Sequence, residues 1–347
     1  MSNEPVLIVE QFGAYVGKHS ERLRVSKDKE TLAEAPLMHL EQVLVSGRGV
    51  SLSTDAIAAC GRAGIPIHLI DGRGRPLASF YAAGLTGTVQ TRRAQLLAYT
   101  DRRGVTLALA FASGKIANQA SLLKYMAKYR KATAPELYRE LRRRADEVRQ
   151  HIEELQQLDA AAPQGATIDE VRFQLLSVEG RAAQLYWAAI KEIVPPELNW
   201  PGRRTRGAKD SLNSALNYGY GILYGQIERA LVLAGLDPYA GFIHADRPGK
   251  PSLTLDAIEE FRQPVVDRTV LGLANKGFEL KQDEEHMLAE DTRRALAEKI
   301  LERLEESTER YEGKKQALRI IIQSQARHLA TFLRGDRAEY VAFTSTW

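Results

Sequence analysis

Cysteine is nearly absent from this chain of 347 residues. Cys60 stands alone, which excludes an intrachain disulfide framework and a cysteine-built zinc site. Long apolar runs are missing as well. No stretch approaches the ~20 apolar residues that a membrane-spanning helix needs. The opening MSNEPVLIVEQ has no basic segment ahead of its apolar run and carries Glu4 and Glu10, so a secretory leader is not expected. Neither sign of charge predominates, since 48 Lys and Arg against 44 Asp and Glu leave a net +4 that singles out no partner. These absences point to a cytoplasmic protein, long enough to build two cores.

Short apolar runs bounded by turns mark the first ~85 residues as rich in strands. Residues 6–9 are one strand, and residues 14–16 are expected to begin its hairpin partner. Residues 43–46 form a third, stopped by Gly47-Arg48-Gly49. Ser53, Thr54 and Asp55 offer side-chain oxygens to the first N–H groups of a helix through Ala63. Residues 65–70 read as a buried strand, turned by Asp71-Gly72-Arg73-Gly74 into a strand at 76–81. That turn lacks the lysine and serine of a phosphate loop, and no helix with dinucleotide spacing follows it.

The pattern changes at 82–94, where Gly84, Thr86, Gly87, Thr88 and Thr91 crowd together. The expected fold class is therefore α+β, with a small β-rich N-terminal domain over 1–86, a linker at 87–94 and a larger all-α C-terminal domain over 95–347. Helices are expected at 95–107, 111–130, 134–158, 167–193, 210–233 and 255–262, then from about 266, at 283–307 and at 311–333. Two basic blocks, Arg142-Arg143-Arg144 and Arg203, Arg204, Arg206 and Lys209, suit phosphate, although such runs are ordinarily solvated helix faces.

Three features of the helical part carry chemistry. Glu179 has Leu175, Leu176, Ala182 and Ala183 as its helical neighbours, so its carboxylate needs a positive partner. A metal ion would serve, and so would Arg181 or Arg172. Gly180 beside it costs about 1 kcal/mol against alanine in a helix interior and leaves room for close approach. His244 ends the run Gly241-Phe242-Ile243, and a Gly/Pro-rich basic turn leads on to Asp256 and Glu259. Residues three apart share a helical face, so these two carboxylates are expected to point at one place. One imidazole with two or three carboxylates suits Mg2+ or Mn2+ better than zinc. Such sites serve phosphoryl chemistry. The plainer alternative is a non-catalytic DNA-binding scaffold in which Glu179 and His244 merely pair in the core. Gly219, Gly221 and Gly225 read as close helix–helix packing, and Asn213, Ser214 and Asn217 put polar groups along one side of the same helix.

The EG dipeptide in a helix, GFIH, a basic Pro/Gly turn and SLTLDAIEEFRQPVVDR, with an Asn/Tyr-rich helix between, resemble the Cas1 family of CRISPR-associated endonucleases. The resemblance covers nearly the whole chain. It implies a catalytic set of Glu179, His244, Asp256 and Glu259, with Glu179, His244 and Glu259 as ligands of a divalent metal, Mg2+ or Mn2+. Some family members carry Asp where Glu259 stands. Whether Asp256 orients His244, holds a second ion or takes the nucleophile's proton stays open at this point. The resemblance further implies a DNA endonuclease and integrase that joins the 3′-hydroxyl ends of a short prespacer fragment into a CRISPR repeat by transesterification. Its implied partners are DNA, the Cas2 protein and a second copy of the chain, the dimer forming through the β-rich domain. A casposase-like transposon integrase with the same site is the alternative reading.

Overall fold

A computed structural model describes residues 6–82, 89–205 and 207–347. The N-terminal region contains β1 (Val6–Val9), β2 (Tyr15–His19), β3 (Arg22–Lys27), β4 (Glu30–Pro36), β5 (Gln42–Val45), β6 (Ser51–Leu52), α1 (Thr54–Ala63), β7 (Ile67–Ile70) and β8 (Pro76–Phe80). They form two four-stranded sheets, ordered β1-β5-β7-β8 and β4-β3-β2-β6. In the first sheet β1, β5 and β7 run parallel and β8 closes it antiparallel. Alternation along these strands feeds two cores. Leu7, Val9, Val43, Val45 and Ile67 pack with Val16, Leu23 and Val25 of the second sheet and with Ala56 and Cys60 of α1. Val6, Leu44 and Ile70 turn the other way, into the core of the helical region. Cover on both faces is why these strands read as continuous apolar runs.

The expected hairpin between residues 6–9 and 14–16 does not form. β2 crosses to the other sheet, where it pairs antiparallel with β3 and parallel with β6. The β3–β4 pair escaped notice because charges interrupt its apolar positions. Arg24 and Glu34 meet across it at 2.5 Å. Ser53 caps α1 as anticipated, its hydroxyl accepting from the Ala56 N–H at 3.1 Å.

The helical region comprises α2 (Val89–Ala98), α3 (Arg102–Lys128), α4 (Pro135–Ala161), α5 (Ile168–Lys191), α6 (Ser211–Leu233), α7 (Ser252–Ala257), α8 (Arg268–Asn275), α9 (Glu290–Glu305), the strands β9 (Thr308–Tyr311) and β10 (Lys314–Ala317), and α10 (Leu318–Arg334). Three expectations change here. The segment 89–94 is helical, not linker, while 87–88 lie outside the described residues along with Gly84 and Thr86. The first helical break falls at 99–101, where the Asp101 carboxylate caps α3 through the Arg103 N–H at 2.9 Å, and not at 107–111. The region is also not purely α, because β9 and β10 form an antiparallel hairpin inside the span expected to be helical. Glu312 and Gly313 turn it with φ of 46° and 78°, a left-handed pair suited to a two-residue hairpin loop.

The two regions are locked together along α6. Its glycines face the β-rich region and, at Gly219, Val266 and Ile300. A Cβ on Gly221 would lie 1.6 Å from the Gly74 carbonyl oxygen, and one on Gly225 would lie 3.3 Å from the His68 ring. The Asp71–Gly74 turn therefore seats directly on α6 and is not a ligand loop. Beside it the Tyr218 hydroxyl donates to Glu10 at 2.5 Å, and Ser46 donates to the same carboxylate oxygen at 2.8 Å. Gly221→Ala is expected to destabilise the protein by about 3 kcal/mol through forced separation at this contact. Thermal unfolding checks it, and a melting curve matching wild type would refute the account.

Candidate metal centre

Proline 264 sets the shape of the segment that follows α7. It has no N–H to give to the carbonyl of Glu260, four residues back, and its ring crowds that carbonyl. The chain responds with a tight turn at Ile258–Glu260 and a six-residue π-helical turn at Arg262–Asp267. The freed Glu260 carbonyl is taken by Asn118 of α3, whose Nδ2 donates at 2.8 Å. Asn118 also grips the last residues of the chain, donating to the Phe343 carbonyl at 2.9 Å and accepting from the Ser345 N–H at 2.8 Å. The Glu260 carboxylate accepts from the Phe343 N–H at 2.7 Å, from Gln325 at 2.8 Å and from Tyr340. Burial pushes this carboxyl up to about 7, against the pull of its three donors. Gly114 makes room for the strap, since a Cβ there would lie 2.6 Å from Ala342.

Held this way, Glu259 faces inward. Arg262 Nη1 lies 3.3 Å from its Oε1, and Lys115 Nζ of α3 lies 2.8 Å from its Oε2. The same ammonium donates to Glu179 Oε1 of α5, so one lysine bridges two carboxylates. Burial works against the charge on Glu259, but Arg262 and Lys115 outweigh it and hold the carboxyl well below its ordinary range. Burial likewise opposes the charge on Lys115, and Glu259 and Glu179 reverse the balance and raise it. Glu259 Oε2 is buried, and the Lys115 ammonium is its ion-pair partner. Of the arginines considered as partners for Glu179, Arg181 pairs with Glu154, and Arg172 pairs with Asp169.

His244 approaches from the loop between α6 and α7. Gly241 lets this loop press on the start of α7, because a Cβ there would lie 2.5 Å from the Ser252 carbonyl carbon. Arg172 ties the loop to α5 by donating to the Phe242 carbonyl at 3.1 Å. Asp256, fully buried, accepts three successive backbone N–H groups: Phe242 at 2.6 Å, Ile243 at 3.0 Å and His244 at 3.0 Å. It also meets His244 Nδ1 at 2.7 Å. A carboxylate there assigns the proton to Nδ1 and leaves the Nε2 lone pair for a ligand. The two carboxylates expected to converge are thus divided in their work. Asp256 is spent on the loop and the imidazole, a positioning residue, while Glu259 faces Lys115. His244 lies near enough to Glu259 for the two to interact electrostatically.

Two carboxylates, Glu179 and Glu259, with an imidazole nitrogen are the oxygen-rich mixed set that Mg2+ and Mn2+ favour, and the buried Glu259 Oε2 has no hydrogen-bond donor of its own. Among the described residues no three His, Cys, Asp or Glu side chains, as placed, already converge on one ion position. The Lys115 ammonium lies between Glu179 and Glu259 instead. Sequence reasoning missed Lys115 and Arg262. The visible signal for Lys115 was a lone cation between Phe111, Ala112 and Ile116 on an otherwise buried helix.

The basic blocks diverge. Arg143 and Arg144 pair with Glu140 and Glu147 along α4, the solvated-face outcome. Arg203 is built in: its guanidinium donates to Asn217 at 2.7 Å and to Asn213 at 3.1 Å, and it lies over the Tyr220 ring at 5.3 Å. Arg262 covers the same ring at 4.9 Å, which sets the basic loop beside Glu259. Arg206 lies outside the described residues.

The family model described as CRISPR associated protein Cas1 matches residues 7–302. A CRISPR-associated endonuclease Cas1 of Archaeoglobus fulgidus is 39% identical over 352 residues, covering 98% of this chain and 99% of its own length. Among solved structures, a casposase bound to integration product aligns with a TM-score of 0.82 at 21% identity, over 99% of this chain and 94% of that one. A CAS1 protein from Thermotoga maritima aligns with a TM-score of 0.76 at 21% identity, over 98% and 99%. At these identities the two structures speak for the fold.

Asp256→Ala would leave three buried N–H groups and the His244 ring without an acceptor. It is expected to cost about 3 kcal/mol of stability and to weaken Mn2+ binding roughly 10- to 100-fold. Thermal unfolding and Mn2+ titration measure the two effects, and wild-type values in both would sink the positioning role.

Proposed function

This chain belongs to the Cas1 family of CRISPR-associated proteins, and from that premise we propose that it is a metal-dependent DNA endonuclease and integrase of CRISPR adaptation. The observation that carries the reading is the polar centre, where Glu179 and Glu259 share one ammonium and His244 is held by Asp256 with Nε2 free. Glu179, His244 and Glu259 are the residues that would hold Mg2+ or Mn2+. Such an ion supplies Lewis acidity at a phosphodiester.

The chain's own residues do the rest. Asp256 fixes the His244 tautomer, and Arg262 keeps Glu259 ionised. Arg203, fixed by Asn213 and Asn217, brings fixed positive charge to the same side, where phosphate contacts would make DNA binding salt-dependent. In the joining step a DNA 3′-hydroxyl attacks a phosphodiester of the repeat. One P–O bond forms, one breaks, and the leaving 3′-oxygen takes up the proton, so no high-energy cofactor is consumed. Prespacer and repeat DNA are the substrates, Cas2 and a second copy of the chain are the partners, and the β-rich region at 1–86 carries the dimer contact. The place of action is the cytoplasm, and among the described residues no helix is long and apolar enough to cross a membrane.

His244→Ala and Glu179→Ala are expected to keep the fold and DNA binding while losing strand joining by at least about 100-fold, since ligands should matter no less than the residues behind them. The assay follows a labelled fragment into a repeat-bearing plasmid with Cas2 and Mg2+ or Mn2+. Joining at the wild-type rate by both variants overturns the site.

A further inference from the structure

Lys115 is the one group in the centre that the proposed chemistry does not use. It sits on α3, mostly buried, with its ammonium on Glu179 Oε1 and 2.8 Å from Glu259 Oε2. Those are oxygens of the two carboxylates that a divalent ion would need. The lysine is not there for packing alone, because its neighbours on the helix, Phe111, Ala112 and Ile116, already fill the core. It is held by a hydrogen bond to Glu179 and an ion pair with Glu259, both at the end of a flexible stem. A four-carbon stem with a strongly hydrated head can swing away where a rigid guanidinium fork would not.

Two cations on the same oxygens compete. An ammonium and a divalent ion a few ångströms apart repel in a site of low effective dielectric, so each weakens the binding of the other. We infer that Lys115 is a built-in countercation of the metal centre, holding the Glu179–Glu259 pair together and yielding it when a divalent ion binds. The inference rests on the proposed metal site and adds to it a competitor carried on the chain. Its consequence is a sign: removing Lys115 should tighten metal binding, although it removes a stabilising ion pair. A lysine that only supported the fold would have the opposite effect, since loosening two ligand-bearing elements weakens a metal site.

The experiment is a Mn2+ titration of the full chain in metal-stripped buffer, by calorimetry, for wild type, Lys115→Met, Lys115→Arg and Glu179→Gln. Lys115→Met is expected to bind Mn2+ roughly tenfold tighter than wild type, about 1.4 kcal/mol, and Lys115→Arg severalfold weaker than wild type, because the guanidinium keeps the charge on the carboxylates and does not swing away. Unchanged or weaker binding by Lys115→Met overturns the countercation role. Glu179→Gln separates that failure from a failure of the site, since Mn2+ binding indifferent to this change means that the ion sits elsewhere and both readings fall. Should Lys115→Met not fold, acylation of Lys115 in the wild-type chain gives the same answer by mass spectrometry. Saturating Mn2+ is expected to raise its labelling severalfold relative to the exposed Lys131, and labelling that stays level or drops refutes the exchange.

Discussion

Two ionised carboxylates come together inside a helical core only with positive charge beside them, and the structure around Lys115 follows from that constraint. Glu179 comes from α5, Lys115 from α3 and Glu259 from the turn after α7. Each charge alone would be strongly disfavoured by burial; together with Arg262 they compensate one another. Such a cluster adds little net stability compared with an apolar core, but it penalises every arrangement that separates its members. It therefore fixes the mutual position of three segments that are remote in sequence.

Position also has to be defended locally, and here a proline does much of the work. Pro264 denies the Glu260 carbonyl its helical donor, which forces the irregular turns that aim Glu259 inward. The orphaned carbonyl is recovered by Asn118, which stands one helical turn beyond Lys115 on the same helix. The same asparagine and the Glu260 carboxylate then capture the strap at 340–345. The turn that carries Glu259, α3 and the end of the chain are thus held by one buried hydrogen-bond network. Asp256 repeats the device on the other flank, where one carboxylate satisfies three loop N–H groups and an imidazole.

What could be read from the sequence was the need, more than the partner that meets it. Glu179 on an apolar helical face announced an uncompensated charge, but its cation comes from a helix 64 residues away, which local patterning cannot reveal. The spacing of Asp256 and Glu259 was legible, whereas their division of labour depends on how close the GFIH loop approaches α7. Most long helices were visible in their periodicity and caps. The β3–β4 pair and the β9–β10 hairpin were not, because charged residues on exposed strand faces imitate a solvated helix. The glycines of α6 were read as a close approach, which is correct, but the element that approaches is the Asp71–Gly74 turn as well as neighbouring helical segments.

That correction bears on how the two regions can communicate. On one side α6 receives Gly74 at Gly221 and ties Tyr218 to Glu10 of the β-rich region. About two turns past Gly221, its buried Glu228 accepts from Ser79 at 3.0 Å and Tyr81 at 3.1 Å. On its other side Tyr220 donates to Asp267, which also accepts from Tyr186 of α5 at 2.7 Å, and carries Arg262 and Arg203 on its ring. Tyr218 and Tyr220 are two residues apart on one rigid helix, so they point to opposite sides of it. The one helix α6 thus touches the β-rich region on one side and, on the other, Arg262, the ion-pair partner of Glu259. At Gly221 the approach is backbone to backbone, with no side chain between the turn and the helix, so the two regions are packed there without a gap.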